Sequence, residues 1–95
     1  MMTKEYILNF LTTHKKEMQD TYALTKIGLF GSYAKDTANE NSDIDIVVDM
    51  PSDFDAFFDL KDFLEKELRK NIDLGLEKSM RPFIKNAIKN DILYA

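Results

Sequence analysis

The sequence contains no cysteine and no apolar run long enough to span a membrane. Without cysteine the chain can form neither disulfides nor thiolate metal sites, and this composition suits a reducing cytoplasm, where we expect the protein to act. A membrane-spanning helix needs about 20 mostly apolar residues. The apolar runs here extend over only a few residues, and the N-terminus does not resemble a signal peptide, so we expect no membrane partner.

Basic residues are fewer than acidic ones. Thirteen Lys and Arg stand against seventeen Asp and Glu, which gives a net charge of -4 at pH 7. A protein of this sign repels a long phosphate backbone rather than attracting it. The composition therefore argues against a protein that binds extended DNA or RNA.

The length and the hydrophobic periodicity predict one small domain over residues 1–95, in which helices alternate with short strands. Thr3 is a candidate cap for a first helix that runs to about Asp20. Strands are predicted where apolar residues alternate with polar ones or form a short β-prone run. These segments are residues 25–30, 43–49 and 71–76, and a short helical turn with a loop is expected within residues 33–42.

Two further helices complete the prediction. Ser52 and Asp55 resemble a capping box for a helix whose core face holds Phe54, Phe57, Phe58, Leu64 and Leu68. Ser79 is a candidate cap for a last helix that directs inward Phe83, Ile84, Ala87, Ile88 and Ile92. The order of elements predicts an α/β fold, with a small mixed sheet of three to four strands backed by helices.

Acidic residues recur at a spacing of two in the predicted strands. Because alternate strand residues share a face, Asp43 and Asp45 point the same way, and Asp73 lies on the equivalent face of the third strand. If these strands are neighbours, the three carboxylates come within a few ångströms of one another. Such like charges raise at least one pKa or recruit a cation, and carboxylate oxygens favour magnesium or manganese. Two such ions would suit an in-line displacement at phosphorus.

A glycine and a serine follow the first predicted strand directly. Gly31 allows backbone amides to approach a phosphate, and the start of a following helix directs its positive end toward that anion. Ser32 adds a hydroxyl donor, and Lys35, one turn later, is a candidate phosphate ligand. The pattern predicts that metal ions and the turn hold a triphosphate from two sides.

Gly31-Ser32 and, after ten intervening residues, Asp43-Ile44-Asp45 resemble the Gly-Ser and Asp-x-Asp signature of the polymerase-beta-like nucleotidyltransferase superfamily. The flanking residues 33–35 and 46–48 are particularly similar to its smallest branch, the minimal nucleotidyltransferases. Members of this branch are about as long as this chain. The specific motifs lie between residues 29 and 49, and a weaker match follows at residues 72–74. The resemblance implies the nucleotidyltransferase fold.

The resemblance also implies a role for each matched residue. Gly31 and Ser32 would hold the triphosphate of ATP. Asp43 and Asp45 would bind two Mg2+ ions, and Asp73 would bind one of them and help to deprotonate the attacking hydroxyl. Several members are antitoxins that bind a HEPN-type ribonuclease toxin and in some cases silence it by attaching AMP to a tyrosine. The implied activity is therefore a Mg-dependent transfer of AMP to a hydroxyl of a protein partner.

One position departs from the family pattern, because Asp36 stands where many members have a glycine. A glycine there would tolerate a positive φ, and a branched acid changes the expected shape of the loop. Lys35 precedes it and keeps the basic charge of the pattern.

Several alternatives remain open from the sequence. The aspartates could belong to solvated strand faces, Lys35 could be a surface lysine, and Arg81 could reach a nucleotide or a partner. His14 lies on an apolar helical stripe, so packing is expected of it rather than catalysis. Two rival functions remain. One is modification of a small molecule, but it would require an acceptor domain for which we expect no room in this chain. The other is neutralisation of a toxin by occlusion alone. The sequence also leaves a homo- or hetero-oligomer open.

Overall fold

The chain alternates helices and strands around one sheet, as the periodicity predicts. A computed structural model describes residues 2–95, and their order is α1 (Lys4–Tyr22), β1 (Lys26–Phe30), α2 (Gly31–Ala34), β2 (Ile44–Asp49), α3 (Phe54–Leu68), β3 (Ile72–Leu76), a 3-10 turn (Glu77–Ser79), α4 (Pro82–Ile88) and β4 (Leu93–Tyr94). Over these residues, no helix combines the length and the apolar character that crossing a membrane requires.

The sheet is mixed and has the strand order β3-β2-β1-β4. β1 pairs antiparallel with β2 and with β4, whereas β2 and β3 run parallel. A parallel pair needs a crossover, and α3 provides it. This architecture confirms the predicted α/β fold. The short β4 was not predicted, because two residues carry no recognisable strand pattern.

The core lies where α1 and α3 contact each other and the sheet. From the strands it takes the buried face expected from the alternation, which includes Ile44, Ile46 and Val48. From α1 it takes Ile7, Leu11 and Met18. His14 is half-buried beside this core, with its ring centroid 4.4 Å from that of Phe10, which agrees with the packing role expected of it.

The helix caps agree with the predicted ones only at the first helix. The Thr3 hydroxyl accepts a hydrogen bond from the Tyr6 amide at 3.1 Å. At α3 the cap is Asp53, whose carboxylate accepts from the Ala56 amide at 3.2 Å, so the prediction of Ser52 was wrong by one residue. The prediction of Ser79 was also wrong, because it lies in the 3-10 turn and α4 begins only at Pro82. Proline is favoured at the first position of a helix, where no amide hydrogen is needed.

The predicted core face of α3 was partly wrong. Its buried residues are Leu60, Leu64 and Leu68, whereas Phe54 is 79% exposed and Phe58 is 58% exposed. At 100° per residue, the direction that buries Leu60 and Leu64 leaves Phe54 and Phe58 about a quarter turn or more away.

The predicted inward face of α4 was wrong for most of its residues. Phe83 and Ile84 are exposed, and α4 contains no buried residue. Ala87 is exposed as well, while Ile88 and, beyond the helix, Ile92 are half-buried. The helix therefore touches the rest of the protein with little of its apolar surface.

We expect Leu64→Ala to lower the free energy of unfolding by about 3 kcal/mol, because it removes a fully buried side chain and leaves a cavity. Phe54→Ala should change it by less than about 0.5 kcal/mol, because most of that ring already faces water. Denaturation by urea in dilute solution measures both. Equal losses in the two variants would contradict the assignment of the buried face.

Candidate active site

Gly31 joins the end of β1 to the start of α2 and lies against β2. Its φ is +75°, a conformation that costs a residue with a side chain roughly 1–2 kcal/mol. A Cβ atom at this position would also lie 2.8 Å from Asp45 Cγ, closer than real Cβ contacts occur. Backbone conformation and lack of space therefore both require glycine here, and the close contact brings the turn directly to a carboxylate.

Asp45 and Asp73 lie side by side on neighbouring strands. They are Cα partners in the parallel register of β2 and β3, so their carboxyl groups are close enough to influence each other's pKa. Burial raises the pKa of Asp45 to about 6, with further contributions from the charge of Asp73, a hydrogen bond to Asp73 and the charge of Asp43. Because a hydrogen bond between two carboxyl groups requires a proton, Asp45 and Asp73 share one only below about pH 6.

Asp43 precedes the first residue of β2 and is exposed. The charge of Asp43 contributes to the raised pKa of Asp45. The three carboxylates nevertheless do not form a tight cluster. Within residues 2–95, no three acidic or histidine side chains converge closely enough to surround a metal ion. Like charges separate where solvent allows it, and Asp43 is free to turn toward water. The strands thus bring Asp45 and Asp73 into contact and keep Asp43 beside them.

The donor atoms of these three residues fit a hard divalent cation. Such ions prefer carboxylate oxygens. Burial is the main cause of the raised pKa of Asp45, and the charges of Asp73 and Asp43 add a repulsion that a cation would relieve. Asp43, Asp45 and Asp73 are therefore the residues that could hold magnesium.

We expect Asp45→Asn to stabilise the metal-free protein at pH 7.5 but not at pH 4. Because the folded-state pKa of Asp45 lies above its unfolded value of 3.8, ionisation destabilises the fold as pH rises through about 4 to 6. Asparagine avoids this loss. The expected gain is about 1 kcal/mol, since solvent screens a carboxyl group that is only half-buried. Thermal unfolding in EDTA at both pH values measures this gain in stability. If the difference in stability between Asp45→Asn and the wild type is the same at pH 4 and pH 7.5, the prediction is contradicted.

The residues after Gly31 form a short turn, and Lys35 in this turn makes an ion pair with a distant segment of the chain. The carbonyl of Ser32 accepts a hydrogen bond from the Thr37 amide at 2.9 Å. Lys35 is exposed, and its Nζ lies 3.6 Å from a carboxylate oxygen of Asp91 in the segment that follows α4. Lys35 therefore has a carboxylate partner in this structure.

Asp36 adopts the conformation that the family's glycine would take. Its φ is +59°, and aspartate is one of the residues that tolerate this region. Its carboxylate is 2.9 Å from Lys4 Nζ at the start of α1. The substitution of glycine by aspartate thus keeps the left-handed turn and adds a tether to α1. The sequence held no signal for the Lys4 and Asp91 contacts, because both partners are remote in the chain.

A polar cavity of about 540 Å³ opens beside Asp43. It lies between the start of β2 and the C-terminal end of α3, and it is lined by Glu40, Asn41, Ser42, Asp43, Glu65, Arg69, Lys70 and Asn71. Its walls contain both charges and little apolar surface. Of the three aspartates the cavity is bordered by Asp43 alone, so it opens onto that carboxylate and not onto Asp45 or Asp73.

Comparisons with known proteins agree with this geometry. A family model described as "Nucleotidyltransferase domain" matches residues 11–95. The protein adenylyltransferase MntA of Thermococcus cleftensis is 37% identical over 97 residues, which cover 99% of this chain and 97% of that protein.

Two solved structures have the same fold. A toxin-antitoxin crystallised with AMP-PNP is 30% identical, with a TM-score of 0.62, and the match covers 76% of this chain and 61% of that one. A mutant of the toxin-antitoxin MntA-HpeT has a TM-score of 0.69 at 23% identity, covering 98% of this chain and 71% of that one. Together with the sequence matches, they confirm the resemblance drawn from the Gly-Ser and Asp-x-Asp motifs. The chain belongs to the nucleotidyltransferase domain family and is a nucleotidyltransferase.

Proposed function

We propose that this enzyme transfers AMP from ATP to a hydroxyl group of a partner protein, and that the partner is the toxin of a toxin-antitoxin pair, a HEPN-type ribonuclease. One observation carries the proposal: Gly31 packs against Asp45, so that the turn and the carboxylates form one site. A relative covering the whole chain is named a protein adenylyltransferase, and a related toxin-antitoxin was crystallised with AMP-PNP.

The residues of the site divide the work on the nucleotide. The backbone at Gly31 and the hydroxyl of Ser32 would hold the triphosphate, and Lys35 would reach it after leaving Asp91. Asp43 and Asp45 would hold two magnesium ions, which supply positive charge for the phosphate oxygens. Binding in this way fixes the α-phosphate beside the acceptor, so catalysis consists mainly of positioning and charge neutralisation.

Asp73 would act on the acceptor. It is exposed at the edge strand β3 and lies next to Asp45, which places its carboxylate where a hydroxyl can approach from outside the sheet. As the acceptor oxygen forms its bond to the α-phosphorus, the bond from that phosphorus to pyrophosphate breaks. The hydroxyl proton passes to Asp73 and then to solvent.

A transfer assay tests this function. The purified protein, magnesium and ATP labelled at the α-phosphate are incubated with an extract of the source cells, alongside Asp43→Asn and Asp45→Asn. We expect a labelled protein band with the wild type and none with these variants, and mass spectrometry then identifies the acceptor. Asp59→Asn, an exposed acid on α3, serves as the matched control and should label normally.

The same variants separate transfer from occlusion. If nucleotide transfer silences the toxin, Asp43→Asn and Asp45→Asn should fail to rescue growth of cells that express it. Full rescue by both variants, without any labelled band from the wild type, would show that surface contact alone is sufficient and would contradict the proposal.

A further inference from the structure

The polar cavity beside Asp43 lies at the candidate active site, on the side away from the Gly31 turn. Gly31 follows β1, whereas the cavity lies where β2 and β3 begin, and β2 separates β1 from β3 in the sheet. The Ile44 amide donates a hydrogen bond to the Asn71 carbonyl at 3.0 Å, which joins the two strand starts at the cavity. A molecule that fills this cavity would therefore approach the site from the side opposite to the proposed triphosphate.

Two of the charged side chains in the cavity wall are already bonded within the chain. The Glu65 carboxylate accepts a hydrogen bond from the Ile72 amide at 3.1 Å, and Lys70 Nζ donates to the Glu40 carbonyl oxygen at 3.0 Å. Arg69 is exposed at the same wall. In the part of the chain that the structure describes, its guanidinium has neither an ion pair nor a hydrogen bond. The cavity therefore offers a cation whose donors are available to a ligand.

The backbone of Arg69 holds this cation at a fixed place. Arg69 ends α3 with a φ of +54°, and its amide donates to the Glu65 carbonyl at 2.9 Å. Leu68 before it is buried in the core. Glycine is the usual residue at such a helix end, because a side chain makes this φ unfavourable. Arginine therefore costs stability here, and such a cost is typical of residues at functional sites.

The charge of Arg69 decides which ligand fits the cavity best. Glu40 is another charged residue of the wall, but it is exposed in the loop before β2. Arg69 is fixed to a helix end, and sites on regular elements hold a ligand more precisely than sites on loops. A ligand anchored at Arg69 is an anion, and a carboxylate matches the planar guanidinium in a bidentate pair. The volume of about 540 Å³ lies within the range of ligand sites, about 300–1,000 Å³.

We propose that the cavity binds an acidic side chain of the acceptor protein, and that Arg69 thereby selects acceptors whose hydroxyl lies close to an acid in sequence. This role rests on the proposed transfer of AMP, which requires an acceptor. Asp73, the residue proposed to act on the hydroxyl, is four residues from Arg69, a span of at most about 14 Å in an extended chain. The acid and the hydroxyl of the acceptor are therefore separated by no more than about four residues.

A peptide titration tests the site without requiring transfer. The probe is acetyl-Glu-Gly-Ser-amide, added at millimolar concentration to the isotope-labelled full chain with magnesium chloride, and NMR follows the resonances of residues 69–71. We expect these resonances to shift. The Kd should be about fivefold higher for acetyl-Gln-Gly-Ser-amide, which is the effect of losing one exposed ion pair. Acetyl-Lys-Gly-Ser-amide should bind no better than the glutamine peptide.

Variants at the ends of two helices separate the side chain from the backbone. Arg69→Gly should bind the glutamate peptide about fivefold more weakly. It should unfold at an equal or higher urea concentration, because glycine adopts this φ without steric cost. Arg69→Lys should retain part of the affinity, since it keeps the positive charge. Ala23→Gly is the matched control and should bind as the wild type does, because Ala23 ends α1 with a φ of +59° and does not border the cavity.

The labelled acceptor extends the test to the reaction. Arg69→Gly should raise the KM for that acceptor about fivefold and leave the Kd of a non-hydrolysable ATP analogue unchanged. A weaker Kd for the analogue would overturn the proposal, because the cavity would then hold the nucleoside. Absent shifts at residues 69–71, equal binding of the glutamate and glutamine peptides, or preference for the lysine peptide would also overturn it. Binding of the glutamate peptide through Arg69 without any labelled protein would support the site and contradict the transfer, so the two failures are distinguishable.

Discussion

Asp73→Asn is expected to lower kcat for nucleotide transfer by about a thousandfold while the KM for ATP changes only slightly. The size of the effect is typical of the loss of a general base. The separation of the two constants follows from the position of Asp73, which stands on the exposed edge strand, whereas Asp45 lies between Asp73 and the Gly31 turn. Loss of Asp73 should therefore impair activation of the acceptor more than binding of the nucleotide.

Steady-state kinetics with the identified acceptor, together with calorimetric titration of a non-hydrolysable ATP analogue in magnesium, measure both constants. Asp45→Asn should weaken analogue binding as well as kcat, and Asp59→Asn should leave both unchanged. An Asp73→Asn protein that binds the analogue as poorly as Asp45→Asn would show that Asp73 acts mainly by holding the nucleotide.

Gly31→Ala is expected to lower the free energy of unfolding by about 3 kcal/mol and to abolish transfer. The stability loss combines the cost of a positive φ at alanine with the overlap between its Cβ and the Asp45 carboxylate. The loss of activity follows from the second cause, because the overlap moves Asp45 away from Asp73 or the turn away from β2.

Gly75→Ala is the matched control for this substitution. Its Cβ would approach only the terminal methyl of Met80, 2.8 Å away, and that flexible side chain can move aside. Urea denaturation and the transfer assay should therefore show a smaller stability loss and retained activity. Equal effects at the two glycines would mean that the contact between Gly31 and Asp45 has no special importance.

The order of elements and the mixed sheet could be predicted because each segment carries its own period. Alternation in residues 43–49 and 71–76 identified β2 and β3, whereas their pairing was only assumed from the sequence and is shown by the structure. The register that places Asp45 beside Asp73 rests on the same alternation. These parts of the fold depend on local patterns that a single sequence displays.

The errors in the predicted core face of α3 and in the predicted helix caps occurred where several suitable residues compete for one position. Three phenylalanines stand near the start of α3, and only the positions of Leu60, Leu64 and Leu68 decide which of them turns inward. Serine and aspartate both cap helices well, so the sequence alone does not decide between Ser52 and Asp53. Because α3 begins at Phe54, Asp53 is the cap. At α4 the proline at position 82 was the better signal for the helix start than Ser79.

The details of the candidate active site depend on contacts between distant segments. The tether between Lys4 and Asp36 spans 32 residues, and the pair of Lys35 and Asp91 joins the turn to the C-terminal segment. No periodicity predicts such contacts. The raised pKa of Asp45 likewise results first from burial and then from its neighbours in the folded sheet. From the sequence we expected the like charges either to raise at least one pKa or to recruit a cation, and the larger effect of burial was not predicted.

The absence of buried residues in α4 means that stability is unevenly distributed along this chain. Asp45 stands in the central strand β2, where the adjacent residues Ile44 and Ile46 are fully buried, while α4 contains no buried residue and only Ile88 at its end is half-buried. Segments with few buried apolar contacts can open without unfolding the rest of the domain. A local opening of α4 would therefore leave the carboxylates in place while β4 stays paired with β1, and it would cost a small fraction of global unfolding.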